Sequence, residues 1–368
     1  FFFFFFFFFF FFIAQTTENS PRIKKETKNK IRVDFERTSF WTRFRLKFLT
    51  GNAVGKAIWW LFRLILLLGI SYVILQPFYS KIASSFMSRE DFVDVTVKLI
   101  PKHPTLDTYK AIIRESGYLT ALLNTTVLSV SCALIQTFIC SLIGYGFAKY
   151  KFKGSKLLFA LVLLTMIVPH KTLHLSLFMK FRYFDIGFGD YGILSLLGGG
   201  VFENFRLLKI TSLNLNNSYW PLILLSLGGL GFKNGLFIFM MRQFFRGVPD
   251  ELEESAYIDG YGPLRTFFKI IVPISIPMMI TVFLFAFSWQ WTDNFYTTTF
   301  FTTTGPKLLP KIVMIPKSLD TNYAGKSLYE AAIRNTCGLL ILFPLIIVYL
   351  FCQRYLVQGI ERSGLTAD

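Results

Sequence analysis

Two long apolar runs and the short acidic segment between them limit what this chain can fold into more than any other feature. Residues 219–241 and 267–289 are each close to the ~20 apolar residues that a helix needs to cross a bilayer. Residues 249–266 lie between them and carry five carboxylates but only one basic side chain. This pattern predicts two membrane spans joined by a short element outside the bilayer.

Local signals in the acidic segment predict a helix, a turn and a second helix. Asp250 is a favoured N-cap residue, and Glu253 three residues later completes a capping box. Gly260 supplies the left-handed backbone that ends many helices. The second helix is predicted to start near Pro263 and to continue into the membrane. A loop that merely connects two spans is the alternative, but a connector needs neither a capped helix nor a fixed glycine.

The same residues resemble the EAA loop of permease subunits of ABC importers. That family has Glu-Ala-Ala, three residues, glycine, nine residues and then Ile-x-Leu-Pro. This chain has Gly260 and Pro273 in register, with Ser255 and Val272 as small departures. The longer phrase is similar to the sugar-importer permeases of the MalG-like kind. Its matching positions are Pro249, Glu251, Leu252, Glu254, Ala256, Ile258, Asp259 and Gly260.

The resemblance implies that the loop is cytoplasmic and docks into a cleft on an ATPase subunit. The implied partners are a homologous second permease, two ATPase subunits and an extracellular solute-binding protein, all serving a bacterial cytoplasmic membrane. ATP would be used by the ATPase subunits, so no cofactor is expected in this chain. The residues that the resemblance assigns to ATPase coupling are Glu251, Glu254, Ser255, Ala256, Ile258, Asp259, Gly260 and Pro273.

Composition places the chain among membrane proteins before any motif is considered. It has 368 residues, is 53% hydrophobic and 18% aromatic, and carries a net charge of +17. The basic residues collect in a tail and in short loops, so we do not expect nucleic-acid binding. Residues 1–57 are interpreted as a basic, disordered cytoplasmic tail that touches anionic lipid headgroups, with no function drawn from the phenylalanine run at its start. Residues 58–368 form the predicted transmembrane permease domain.

The predicted fold is an all-α membrane protein with six transmembrane helices, the ABC-importer permease fold. The tail and the link 149–156 are rich in lysine and poor in acids, which places them on the cytoplasmic side. With six spans, the acidic loop 249–266 and both termini lie on that side too. The predicted spans are about 58–75, 121–147, 157–178, 219–241, 267–289 and 332–352.

The sequence offers no set of residues typical of an enzyme. Residues 51–57 resemble a phosphate loop only faintly, because three residues rather than four separate the glycines and Ala57 replaces Ser or Thr. His170 and His174 have a metal-ligand spacing but no local third ligand. We therefore expect neither catalysis nor a metal site in this chain.

A solute route would need polar and aromatic groups in or near the spans. Lys233 lies inside an apolar run, where a charge is costly, and it either faces a route or reaches the membrane surface. The aromatic and polar stretch after residue 288 suits a sugar, although an interfacial aromatic belt has the same composition. The glycines at 228–235 favour close helix packing or a hinge. The route candidates are Lys233, Asn234, Trp289, Trp291, Asp293 and Asn294.

The resemblance implies import of a carbohydrate, in particular an oligosaccharide, and the route candidates are compatible with it. One alternative is an importer for another solute, such as an amino acid or a peptide. The spans hold almost no acidic residues to bind such cargo. The other alternative is a membrane signalling or scaffold protein whose acidic loop binds a cytosolic partner without transport.

Overall fold

The computed structural model describes residues 51–185, 212–302, 304–320, 323 and 325–364. The phenylalanine run, nearly all of the basic tail and most of the segment 179–218 lie outside the described residues. Within the described ranges the chain is helical apart from loops and one isolated antiparallel bridge between Phe184 and Leu213. The prediction of an all-α protein is confirmed for these residues.

The chain divides into two compact units, residues 1–81 and 82–368. The described part of the first unit consists of a long helix, α1 (Gly51–Ser85), which extends four residues into the second. From Ile58 onward α1 is long and apolar enough to cross a membrane, and its most apolar stretch has no buried residue. Its exposed apolar surface is what a lipid-facing helix presents.

The second unit contains ten further helices among its described residues. Short 3-10 turns at Glu90–Phe92, His170–Leu173, Leu309–Lys311 and Lys317–Leu319 join them to loops. The helices are α2 (Asp107–Glu115), α3 (Tyr118–Lys149), α4 (Ser155–Ile167), α5 (His174–Arg182), α6 (Trp220–Leu227), α7 (Asn234–Arg246), α8 (Glu251–Ile258), α9 (Pro263–Trp291), α10 (Phe295–Phe300) and α11 (Lys326–Gly364).

Helix α3 is the centre of the second unit. It packs against α6, α7 and α9, and α9 in turn packs against α11. Phe237, Met241 and Phe245 on α7 are fully or almost fully buried in the shared core. The ring of Tyr145 on α3 meets Phe245 edge-on, with centroids 5.6 Å apart. This packing holds the C-terminal end of α7, after which the acidic segment begins.

Four of the predicted spans correspond to single helices that are long and apolar enough to cross a membrane. These are Ile58–Ser85, Tyr118–Lys149, Pro263–Trp291 and Lys326–Leu356. The predicted span 157–178 is instead a bent pair, in which Ser155–Ile167 and His170–Arg182 meet at 94°. Pro169 explains the bend, because a proline disfavours helical geometry in the residue before it, and Val168 is extended.

The prediction of one continuous helix over 219–241 is wrong. Helix α6 ends at Leu227 and α7 begins only at Asn234, so neither half is long enough to span a bilayer alone. Gly229 has φ +69°, and the Leu230 N–H donates to the Leu225 carbonyl at 2.9 Å, which closes α6 as a Schellman motif. The described helices thus supply four spans, or five with the bent pair, and a total of six stays a prediction.

Candidate functional site: the acidic loop and a cavity at the broken helix

The acidic segment folds as a helix, a glycine turn and a second helix, which confirms the prediction. Helix α8 ends in a Schellman motif: the Tyr261 N–H donates to the Ala256 carbonyl at 2.9 Å and the Gly260 N–H to the Tyr257 carbonyl at 3.0 Å. Gly260 has φ +80°, which a residue without a Cβ adopts at little cost. The next helix begins at Pro263 as expected.

The predicted capping box at the start of α8 is wrong. Asp250 has helical backbone angles and makes no side-chain bond to the helix. Its carboxylate instead accepts a hydrogen bond of 2.5 Å from Lys149 Nζ at the end of α3, and Glu253 Oε1 lies 3.7 Å from the same nitrogen. A charge-assisted bond to lysine is stronger than a bond to a neutral backbone N–H, so the lysine displaces the cap.

This contact gives the loop a basic anchor. The Lys149 side chain is only 6% exposed and also donates to the Val248 carbonyl. The hydrogen bond from Lys149 lowers the pKa of Asp250 below its ordinary value. Burial raises the pKa of Glu253, and the positive charge of Lys149 only partly offsets this. The link 149–156 and the acidic loop 249–266 therefore lie at the same end of the bundle, as their charges predicted.

Helix α8 divides into a buried and an exposed side. Glu253 and Ala256 are 8% and 1% exposed and face the rest of the chain. Ala256 therefore packs within this chain, and its assignment to ATPase coupling stays a prediction. The other predicted loop residues, Glu251, Glu254, Ser255, Ile258, Asp259 and Gly260, are all exposed.

The exposed side also carries apolar residues, on α8 and at the start of α9. Ile258 is 87% exposed and Leu264 is 69% exposed, with Tyr257 and Leu252 partly exposed beside them. An exposed apolar patch rimmed by charge is typical of a surface that binds another protein.

Pro273 lies away from this surface, within α9. It follows a π-helical turn at Phe267–Ile271. A proline has no N–H to donate to the preceding turn, and π-helical turns relieve such interruptions in a helix. Pro273 is exposed and shapes the start of the membrane helix rather than the loop.

Three of the route candidates lie together at the break between α6 and α7. Lys233 Nζ lies 5.1 Å from the ring centroid of Trp289 and 5.6 Å from that of Phe232. Asn234 is 1% exposed, and neither its side-chain oxygen nor its nitrogen has a hydrogen-bond partner among the described residues. A cation and an unsatisfied amide thus sit side by side in the apolar part of the molecule.

The other three candidates do not join this group. Trp291 is 1% exposed, and its Nε1 donates to the Ile341 carbonyl on α11 at 2.9 Å. Asp293 is buried and accepts the backbone N–H of Thr297 at 2.9 Å, which caps α10. Asn294 is exposed at the start of that helix. The contacts of Trp291 and Asp293 hold the helices together, and their assignment to a solute route stays a prediction.

A cavity of about 450 Å³ opens where the two broken segments meet. It lies between the bent pair α4–α5 and the break between α6 and α7. Its polar lining consists of Thr165, His170, Lys233, Asn234 and Tyr296, and most of the remaining lining is leucine. No pattern in the sequence joins His170 and Tyr296 to Lys233, because each of them lies 63 residues from Lys233 along the chain.

Gly235 forms the tightest contact beside this cavity. A Cβ added there would lie 2.5 Å from Thr165 Oγ1 and 2.9 Å from the Val162 carbonyl oxygen. Helices α4 and α7 can therefore approach closely only because this position has no side chain. The predicted role of the glycine-rich stretch in close packing is confirmed at this residue.

Together these features define the class of the protein: a multi-pass helical membrane protein with a helical loop at one end of its bundle and a cavity among broken helices. Residues 140–362 match the family of binding-protein-dependent transport system inner membrane components. The chain belongs to that family.

Two relatives from Bacillus subtilis illustrate the similarity. The polygalacturonan/rhamnogalacturonan transport system permease protein YtcP is 28% identical, over 80% of this chain and 93% of the relative. The galactooligosaccharides transport system permease protein GanQ is 27% identical, over 86% of this chain and 99% of the relative. The chain thus spans nearly the whole length of permease proteins of sugar transport systems.

A solved structure has the same fold. It is a bacterial ABC transporter involved in the import of the acidic polysaccharide alginate. The matched chain is 19% identical, with a TM-score of 0.61 over 82% of this chain and 97% of that one.

Proposed function

We propose that this chain is a transmembrane permease subunit of an ATP-driven carbohydrate importer. The observation that carries this proposal is the exposed face of α8, the helix that bears the EAA-like motif. Residues 140–362, which include α8, match inner membrane components of binding-protein-dependent transport systems. The chain forms the sugar route with a second permease, and an extracellular binding protein delivers the sugar.

In this proposal the exposed side of α8 is the contact with an ATPase subunit in the cytoplasm. Glu251 and Glu254 supply charge, and Ile258 with Leu264 supplies apolar area. Two ATPase subunits close on ATP, and α8 passes that motion to α7 and α9, which flank it. The ion pair of Lys149 with Asp250 extends the connection to α3.

The same proposal sets the orientation in a bacterial cytoplasmic membrane. The loop 249–266 and both termini face the cytoplasm. The lysine link beside α8 supports this, because basic residues with few acids mark cytoplasmic loops. Exposed apolar side chains on α3, α9 and α11 contact lipid or the second permease, for example Leu134, Phe268 and Phe351.

The substrate class is carbohydrate, and an oligosaccharide suits the names of the relatives. Those names include both an acidic polymer and neutral galactooligosaccharides, so they leave the charge of the sugar open. Amino-acid or peptide import and a role in signalling remain the alternatives, and no feature of the described structure favours either one.

Co-purification tests the proposal. Detergent-solubilised membranes containing the wild-type chain are expected to yield a second permease and an ATPase. The variant Glu254→Lys should lose the ATPase and keep the permease. The control Glu90→Lys makes the same charge change at an exposed site outside the loop and should keep both. Absence of any ATPase with the wild-type chain would overturn the proposal and favour the signalling alternative.

A further inference from the structure

Lys233 carries a charge that the described structure does not neutralise. No carboxylate among the described residues lies within 4.0 Å of its Nζ, which instead rests against the rings of Phe232 and Trp289. Contact with aromatic rings offsets part of the cost of a cation in an apolar setting. A cation without a counter-ion that also lines a cavity is a binding group for an anion.

The start of α7 points to the same kind of ligand. Helix α7 has 13 residues, begins at Asn234 and has no acidic residue in its first turn, so the partial positive charge of its N-terminus is not offset there. The Asn234 side chain, which lines the cavity, is buried with both polar atoms unpartnered among the described residues. The positive end of a broken helix within a membrane protein favours an anionic group of a substrate.

The distance of Lys233 from the loop end of the bundle argues against a lysine that only reaches the membrane surface. Helix α7 is roughly 20 Å long, so Lys233 lies far from the loop end of the bundle, beyond the reach of its side chain. Gln136 on α3 lies beside the break, where its Nε2 donates to Ser226 Oγ at 3.1 Å. Its Oε1 is buried without a partner among the described residues, so the polar character continues into the helix bundle.

We infer that this cavity binds the carboxylate of an acidic saccharide, a chain that contains uronic acid residues. The inference rests on the proposed carbohydrate import and specifies the sugar. Lys233 Nζ pairs with the carboxylate, Asn234 Nδ2 donates to its oxygens, and the positive end of α7 favours its charge. His170 and Tyr296, whose ring centroids lie 6.2 Å apart on the lining, supply flat surfaces for a sugar ring.

Direct binding measurements test this assignment. The permease–ATPase complex is placed in nanodiscs of neutral phosphatidylcholine. The binding protein is left out, so that any preference between sugars comes from the cavity of the permease. Binding of labelled trigalacturonate is compared with binding of the neutral galactose trisaccharide. The variants are Lys233→Met, Lys233→Arg and, as a matched control, Lys171→Met at an exposed lysine in the nearby bend that does not line the cavity.

The wild-type complex should prefer the acidic trisaccharide by roughly tenfold or more, the size of one charge-assisted contact. Lys233→Met should abolish that preference, while Lys233→Arg and Lys171→Met should retain it. Recovery of the intact complex by gel filtration checks that each variant assembles.

Three binding results would overturn the inference, and the absence of any sugar binding is a fourth. One is equal binding of both trisaccharides by the wild-type complex, and another is an unchanged preference in Lys233→Met. The third is an effect of Lys233→Met that appears only in nanodiscs of anionic lipid and is the same for both sugars, which would assign Lys233 to a lipid headgroup. If no sugar binds but the complete importer still takes up oligosaccharide, only this inference fails and the proposed function stands.

Discussion

Two helix ends in this protein share one backbone motif but lie in opposite surroundings. Helix α6 ends at Gly229 with φ +69°, and α8 ends at Gly260 with φ +80°. In both, the N–H after the glycine donates to a carbonyl five residues back at 2.9 Å. The first end lies in an apolar run and the second in a charged loop. The same local geometry therefore interrupts an apolar run at Gly229 and ends the helix of the acidic loop at Gly260.

Helix α7 follows the turn at Gly229, and helix α8 precedes the turn at Gly260. The N-termini of these two helices differ in how their positive charge is balanced. The first turn of α8 contains Glu251, Glu253 and Glu254, which satisfy the positive end of the helix from within the chain. The first turn of α7 contains no acid and is preceded by Lys233. The peripheral helix is thus electrostatically complete, whereas the broken helix offers an unfilled place for an anion.

The largest expected effect is at the peripheral turn. Gly260→Val forces a β-branched residue to φ +80°, which costs roughly 1–2 kcal/mol or more and should distort the end of α8. We expect uptake of oligosaccharide by the whole importer to fall at least tenfold while the second permease still co-purifies. Gly262→Val is the matched control, since Gly262 has an ordinary φ of −79° and open space around it. Normal uptake by Gly260→Val would remove the coupling role from this turn.

The anchor of α8 should have the next largest effect. Lys149→Met leaves the buried Glu253 without its nearest cation, and we expect a loss of roughly 1–3 kcal/mol in stability. Because burial already raises the pKa of Glu253, the variant should regain stability as the pH falls and this carboxyl takes up a proton. Thermal unfolding across pH measures both effects.

Two comparisons check that reading of the anchor. Lys153→Met removes an exposed lysine from the same link and should change stability little. Adding Glu253→Gln to Lys149→Met should restore part of the loss. Equal melting temperatures for Lys149→Met and wild type at neutral pH would contradict the anchor.

The packing at the broken helix should be sensitive to a single methyl group. Gly235→Ala places a Cβ 2.5 Å from Thr165 Oγ1, and overpacking of this kind typically costs about 1–3 kcal/mol. Gly338→Ala on α11 is the control, because nothing lies within 4 Å of the added Cβ. Thermal inactivation of the purified complex should separate the two, and equal curves would show that α4 and α7 are not held as described.

The smallest expected effects separate structural residues from the proposed site. Asp293→Ala removes a cap from α10 and should cost about 1 kcal/mol of stability without altering the preference between acidic and neutral saccharides. Asn294→Ala, at an exposed position, should change stability by less than about 0.5 kcal/mol. A change of sugar preference in Asp293→Ala would indicate that Asp293 contributes to the solute route.

The comparison also explains what sequence reasoning could and could not find. The loop helix and Gly260 were predictable because their signals are local and stand out against apolar flanks. The break at Gly229 was hidden, since glycines in an apolar run are equally typical of close packing. The capping box failed because Lys149, far away in sequence, binds Asp250. The hydrogen bond of Trp291 was not predictable, because its partner carbonyl belongs to another helix, α11.

Site-specific photocrosslinking tests the central claim, that the exposed side of α8 meets the ATPase, most directly. A photoreactive amino acid would replace Ile258, which is 87% exposed on α8, or Ile100, which is 75% exposed in the segment between α1 and α2. The account predicts an adduct with the ATPase from position 258 and none from position 100. No adduct from position 258, or an ATPase adduct from position 100, would contradict it.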